Sequence, residues 1–439
     1  MSTDPNPSAS RRPEGLGGLR RLIHRVTAAG FGDATELRAG TLTASKPDLV
    51  ALMADPALAS VRLSWVSPGD SARIVKVLDA VEPRSKAPLG GAFPGFVSPA
   101  RIQGRGETHV LRGAAVVAAG FLPRAQEALI EMSGPAAELS PLGLTHNLVV
   151  EFEPAESAAW EHVDAALRRG MLRVAARLAD AAAAAGTEPD EVEELWTPGP
   201  RSGQGPLPRI GAITNLQTQG AFKDVFFYGR SLAGSPPVAI DACEIEDGAI
   251  VSGQYGHPAL RNPTYLHQNN PVVSALRAAD SDTLEFAGLI LSPEPVDQGG
   301  KELTAAHTAR LCAALGWDAA IITKEGGGNA DSDNSLKMDA LQEVGILGVG
   351  LFSEMSGPDG TAPPLVSPPS TATAMVSTGN YDERLQLPAV ERAYGAERFA
   401  LLDVEASSAM EVPAAVIVAA LSPLGWGRLT ASGADMVTT

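Results

Sequence analysis

Between residues 284 and 378 apolar runs alternate with amphipathic stretches. Strand-like segments at 284–291, 318–323, 346–352 and 372–378 are separated by helical patterns at 301–315 and 335–343. A strand–helix–strand repeat of this spacing closes as crossovers on a largely parallel sheet with helices on its faces. Ligands of such sheets bind beyond the carboxyl ends of the strands. The residues that follow each apolar run therefore matter most. They are polar three times over: Thr214-Asn-Leu-Gln217-Thr-Gln219, then Lys324-Glu-Gly-Gly-Gly-Asn-Ala-Asp-Ser-Asp333, then Ser377-Thr-Gly-Asn380.

The first half reads differently. Strand-like segments at 61–66, 74–78, 110–120 and 148–152 are divided by Gly and Pro turns such as Ser67-Pro-Gly-Asp70, and an alanine-rich helix over 157–185 carries an apolar stripe, Trp160, Val163, Leu167, Met171, Val174 and Leu178, at core-facing spacing. Apolar spacing also predicts a helix over 15–29. Residues 1–13, rich in Ser, Pro and Arg, read as a disordered lead. A chain of 439 residues exceeds what one hydrophobic core usually serves, and Thr197-Pro-Gly-Pro-Arg-Ser-Gly-Gln-Gly-Pro-Leu-Pro208 is its best linker. The expectation is an α/β protein with an N-terminal extension (1–35), a β-rich domain with a long helix (36–200), and an α/β domain carrying the polar motifs (201–439).

With 51 acidic against 34 basic residues the formal net charge is −17, which disfavours nucleic acid and anionic membrane as partners. No apolar run reaches the roughly 20 residues of a membrane span, and no signal-peptide core follows the N-terminal arginines, so the chain reads as cytoplasmic. Cys243 and Cys312 are the only cysteines, which leaves no disulfide framework and no cysteine-rich zinc site.

Candidate chemistry concentrates in the stretch 247–271, where an apolar run at 249–251 leads into a Gly- and Pro-punctuated loop holding Gln254, Tyr255, His257, His267, Asn269 and Asn270. Such density marks either a site or a wet turn. The three glycines 326–328 before a helix could offer N–H groups to an anion, but they match neither GxGxxG nor GxxxxGK[ST]. Glu325, Asp331 and Asp333 could hold a hard metal or a cationic group, and whether a metal binds there is left open. Asp331 or Asp333 could equally cap the helix that follows. Neither a GxSxG elbow nor zinc-type histidine spacing is present.

Ten ordered motifs carry a resemblance. Gly40-Thr-Leu, Ser67-Pro-Gly-Asp-Ser-Ala-Arg-Ile, Val81-Glu-Pro-Arg, Thr108-His-Val-Leu-Arg-Gly-Ala-Ala-Val-Val, Met132-Ser-Gly-Pro-Ala-Ala-Glu, Ile213-Thr-Asn-Leu-Gln-Thr-Gln-Gly, Asp247-Gly-Ala-Ile-Val-Ser-Gly, Tyr265-Leu-His-Gln-Asn-Asn-Pro, Glu325-Gly-Gly-Gly-Asn-Ala-Asp-Ser-Asp and Val376-Ser-Thr-Gly-Asn resemble the component B proprotein of glycine, sarcosine and betaine reductases.

The resemblance implies a proprotein cut at an Asn-Cys bond just after the segment matching 247–253. The cysteine would become a pyruvoyl group that captures the substrate amine, and a separate thiol- or selenol-bearing subunit would cleave the carbon–nitrogen bond. This chain departs at that point, because the expected Asn-Cys reads Gln254-Tyr255. Tyrosine has no β-leaving heteroatom, so no pyruvoyl cofactor is expected. Ser252 stands two residues early and Cys243 further off. Two readings follow. In one, an uncleaved subunit of a hetero-oligomer cleaves or substitutes C–N or C–S bonds of a small substrate, with Tyr255 and His267 catalytic and Gln217, Gln219, Gln254, Asn269, Asn270, Glu325, Asn329, Asp331 and Asp333 binding. In the other the chain is a non-catalytic scaffold.

Overall fold

The computed structural model describes residues 18–87, 91–184, 186–196, 206–218, 224–253, 256–371, 374–428 and 430–433. Gln219, Gln254 and Tyr255, the lead 1–13 and most of the linker 197–208 lie outside them.

The helix expected over 15–29 is instead two strands, Leu19–Arg25 and Ala28–Gly32. The alternation was hidden because one inward position is an arginine. Leu19, Arg21 and Ile23 are all buried, and Arg21 is kept there by an ion pair with Glu193. Leu19–Arg25 lies parallel to Gly106–Arg112 and antiparallel to Glu191–Leu195. The apolar run 110–120 divides at Gly113 (φ +91°), where a Cβ would come within 2.7 Å of the Val26 carbonyl oxygen. Its second half, Ala114–Ala119, enters a different sheet in the order Leu58–Val66, His146–Pro154, Ala114–Ala119, Val77–Val81. Helix α1 (Trp160–Ala184) covers that sheet with Val163, Leu167, Met171, Val174 and Leu178, which join Val116, Leu148 and Val150 in one core. Each such leucine is worth roughly 2 kcal/mol of burial.

Residues on the two sides of position 200 interleave. Arg392–Tyr394 pairs in parallel with Ala72–Val75, and residues from 387 to 421 complete a core begun by Val75 and Leu129. The buried Arg73 guanidinium fastens this junction by pairing with Glu131 and donating to the carbonyls of Ala406 (2.6 Å), Pro388 (2.9 Å) and Ser408 (3.0 Å).

The second half forms a seven-stranded sheet. Its strands in chain order are β1 (Arg209–Gln217), β2 (Val238–Ile240), β3 (Glu285–Glu294), β4 (Ala319–Thr323), β5 (Leu347–Glu354), β6 (Ala374–Asn380) and β7 (Thr430–Gly433), arranged β2-β3-β1-β4-β5-β6-β7. The five inner strands are parallel and the two edges antiparallel. Two short helices, α2 (Thr264–Gln268) and α3 (Pro271–Ala278), precede β3. Helices α4 (Gln298–Ala314) and α5 (Asp331–Glu343) make the crossovers β3→β4 and β4→β5. The chain is thus a mixed α/β protein, and no helix among the described residues is long and apolar enough to cross a membrane.

Candidate functional site

Register decides what the sheet presents to α4 and α5. Ile213 is aligned with Ile290 on β3 and Ile322 on β4, and these three share a core with Ala309 and Cys312 of α4 and Met338 and Leu341 of α5. Side chains repeat on one face every second residue. Two residues on, the same face carries Asn215 opposite Ser292, and then Gln217 opposite Glu294. An apolar floor therefore turns polar toward the strand ends. Asn215 Nδ2 donates to Asn334 Oδ1 of α5 at 2.6 Å, which ties this polar row to the helix layer.

Facing it is an unusual set of buried amines and carboxylates. Lys301 from α4 pairs with Asp333, Lys324 pairs with Asp331 and donates to the Gly326 carbonyl at 2.8 Å, and Lys337 lies 4.0 Å from Asp333 Oδ1. All five of these side chains are at most 1% exposed. Lys337 Nζ, Asp333 Oδ1, Glu294 Oε2, Asn215 Oδ1 and Ser292 Oγ have no hydrogen-bond partner among the described residues. Burial, then the Asp333 and Glu325 carboxylates, push Glu294 well above the usual carboxylate range. Burial likewise raises Asp333 against the pull of Lys337 and Lys301. The Lys337 ammonium is pushed down by burial to about 8, with Asp333 and Glu294 opposing.

The stretch 247–271 closes the sheet's end, and it is not wet. Ser252, Arg261, Asn262, His267, Gln268 and Asn270 are all buried. Five residues of what reads as loop form the helix α2, which places His267 at the strand ends with Nε2 3.2 Å from Glu325 Oε1. The other Glu325 oxygen accepts from the Gln217 N–H at 2.8 Å, so Gln217, Glu325 and His267 meet. Gly326 (φ +70°) follows at once, and a Cβ there would sit 3.1 Å from Gln217 Oε1; at Gly327 one would strike Met355 and Leu260. The triple glycine thus allows the loop to press against its own surroundings.

Other expected residues go elsewhere. Asn269 joins a structural strut, donating to Glu82 Oε2 and accepting from Arg84 (both 3.2 Å). Asn270 caps α3 through Val273 N–H. Neither Asp331 nor Asp333 caps α5, whose N-cap is Ala330; the two belong instead to the lysine pairs. Asn329 is exposed on the surface, where its carbonyl accepts from Ser332. Asp331 and Asp333 each have a lysine partner, and among the described residues no three His, Cys, Asp or Glu side chains are placed to hold a metal ion. Sequence reading missed Glu294, Lys301, Lys324 and Lys337. The Asp333–Lys337 spacing of four on a helix face was the available signal.

Gln254 and Tyr255 lie outside the described residues, but their flanks are held. A Cβ on Gly253 would come within 2.3 Å of the Asp224 carbonyl, and His257 N–H donates to Gln126 Oε1 at 2.7 Å. Both cysteines are buried. Cys243, in the short helix Ala242–Glu246, packs with Leu19 and Leu195, and burial raises its thiol strongly; burial pushes Cys312 up to about 12.

An open, mostly parallel α/β sheet with a buried ionisable cluster beyond its strand ends defines the class. The family model described as "Glycine/sarcosine/betaine reductase component B subunits" matches residues 19–431, and the chain belongs to that family. It is 34% identical over 417 residues to the glycine reductase complex component B subunits alpha and beta of Peptoclostridium acidaminophilum, covering 92% of this chain and 96% of the relative. The protein of the same description from Acetoanaerobium sticklandii is 35% identical over 420 residues (91% and 96%). The sarcosine reductase complex component B subunit alpha of P. acidaminophilum is 33% identical over 371 residues (83% and 86%). No solved structure matches the chain.

Proposed function

We propose that this chain works uncleaved, as a component-B-like subunit paired with a thiol- or selenol-bearing subunit, on a small amine- or sulfur-containing substrate and without a pyruvoyl group. The observation that carries the reading is Gln254-Tyr255 at the place where the family resemblance expects a cleavable Asn-Cys. A pyruvoyl group needs a residue that loses a β-heteroatom, and tyrosine has none. Neither cysteine replaces it, since both are buried in helices.

The surrounding machinery supports a catalytic role. His267, held by Glu325 at the end of the parallel strands, is oriented as a hydrogen-bond donor or acid would be. As the partner's thiolate attacks carbon, the carbon–nitrogen electron pair leaves with nitrogen, which takes its proton from His267 with Tyr255 assisting. Intact mass of the purified protein is the direct test. One species near 45.3 kDa fits the uncleaved chain, and two fragments, one with a carbonyl-bearing terminus, overturn it. In the assembled complex, His267→Ala and Tyr255→Phe are expected to lose turnover while the partner stays bound; full turnover in both would leave a scaffold.

A further inference from the structure

The cluster at the strand ends contains three buried amines, and they are not alike. Lys301 and Lys324 each hold a carboxylate in direct contact. Among the described residues Lys337 makes no hydrogen bond, and the oxygen it approaches at 4.0 Å, Asp333 Oδ1, is itself without one. Asp333 is already engaged by Lys301 through its other oxygen. A fully buried amine left in this state is an expensive feature for a fold to keep, and stability alone gives no reason for it.

One side of the cluster reaches the surface. A cleft of about 510 Å³ opens at the end of β3, lined by Thr218, Pro236, Pro293, Glu294, Leu303 and His307 among others. Glu294 lines this cleft, and its carboxylate also interacts electrostatically with Asp333, Lys324 and Lys337. Its unpartnered Oε2 is buried, and burial, then the Asp333 and Glu325 carboxylates, raises the carboxyl well above its ordinary range. A buried acid that lines the cleft, an amine without a hydrogen bond among the described residues and a carboxylate oxygen 4.0 Å from that amine are thus grouped at the strand ends.

We propose that Lys337 captures a small carbonyl compound, an aldehyde or an oxo-acid admitted past Glu294, as a covalent imine. The neutral Nζ donates its lone pair to the carbonyl carbon while the carbonyl π pair moves to oxygen. Asp333 Oδ1 takes a proton from the new ammonium and delivers it to the alkoxide oxygen, giving the carbinolamine and restoring the Asp333 carboxylate. Glu294 then protonates that hydroxyl, water leaves, and the nitrogen lone pair closes the protonated imine. Amine, carbonyl and the Glu294 proton give the protonated imine, water and the Glu294 carboxylate, with no change of oxidation state. Lys301, a cationic neighbour, favours the neutral form of the Lys337 amine. The inference stands apart from the reading of residues 254–255, because it concerns other atoms and is tested without the partner subunit.

The experiment incubates the full chain with glyoxylate, or with pyruvate, and sodium cyanoborohydride near neutral pH, then reads intact mass and maps the modified peptide. One adduct per chain on Lys337 is expected, forming roughly a hundredfold faster than on the exposed Lys46, since Asp333 and Glu294 stand near the Lys337 amine to move protons during imine formation. Lys337→Met is expected to lose the fast adduct and keep the slow one, and Glu294→Gln to slow it. Lys337→Arg serves if the methionine variant does not fold. Wild-type protein with a native circular dichroism spectrum that gains no adduct at Lys337, or gains it no faster than at Lys46, overturns the proposal and makes the cluster structural.

Discussion

Two buried ionic groups in this molecule are built on opposite principles. Arg73, at the junction of the N-terminal sheets with residues 387–421, meets a carboxylate and three carbonyls. Lys337, at the ends of the parallel strands, meets no hydrogen-bond acceptor among the described residues. Both are fully buried, so both have given up their hydration. In the first the protein supplies four acceptors in place of water; in the second it supplies no hydrogen-bond acceptor among the described residues. A satisfied ion locks two segments together, whereas an unsatisfied one keeps its reactivity and its ability to titrate.

The contrast is broken most directly by removing the satisfied ion. Arg73→Ala leaves Glu131 charged and buried with three orphaned carbonyls nearby, and is expected to cost about 3–5 kcal/mol. Urea unfolding should show the full loss in the midpoint. An unchanged midpoint would mean that the junction is held by its apolar core alone. Within the cluster, Lys301→Met is expected to cost about 3 kcal/mol, because it strands Asp333 beside Glu294.

Lys337→Met should have the opposite sign. The native Lys337 titrates near 8, against 10.5 when exposed, so the unfolded chain holds the extra proton between those values. Stability is full above pH 10.5 and falls as pH drops through 8, by about 3 kcal/mol at most. The methionine variant escapes that loss. It is expected to be more stable than wild type below pH 8, with the advantage fading by pH 10.5. A variant less stable than wild type at pH 7 would place Lys337 among the satisfied ions.

How much of this was legible beforehand follows the same division. The alternation 284–378 announced a parallel sheet because β-strands and helices there carry ordinary apolar patterns. The segment 19–25 misled because Arg21 occupies an inward position, and only Glu193, far along the chain, explains why an arginine can sit there. His267, Glu325 and Gln217 were readable as polar residues after strands and do meet. Asn269 and Asn270 have the same chemistry but are used for a strut and a cap. Lys301, Lys324, Lys337 and Glu294 were invisible for a simple reason: charged residues on helices and after strands are usually solvated, and only the register of β1, β3 and β4 reveals that these are buried.

The N-terminal half has a titrating pair of its own, and it offers the smallest and finest test. His24 Nε2 and His109 Nδ1 are 2.9 Å apart on neighbouring strands, with stacked rings 5.2 Å between centroids. One ring must donate and the other accept, so the contact requires at least one neutral imidazole. Burial, then His109, holds His24 below its ordinary range; burial does the same to His109, with Glu107 and Asp180 opposing. For histidines lowered in the native state the contribution is complete above about pH 6.5 and is lost as pH falls through the native values. Because His109 is partly exposed, solvent screening keeps the effect under about 1 kcal/mol. His109→Asn should flatten the loss of stability between pH 7 and pH 5 while leaving the pH 8–10.5 rise set by Lys337 intact. If the acid-side slope survived the substitution, the carboxylates at the strand ends, not this pair, would govern the response to acid.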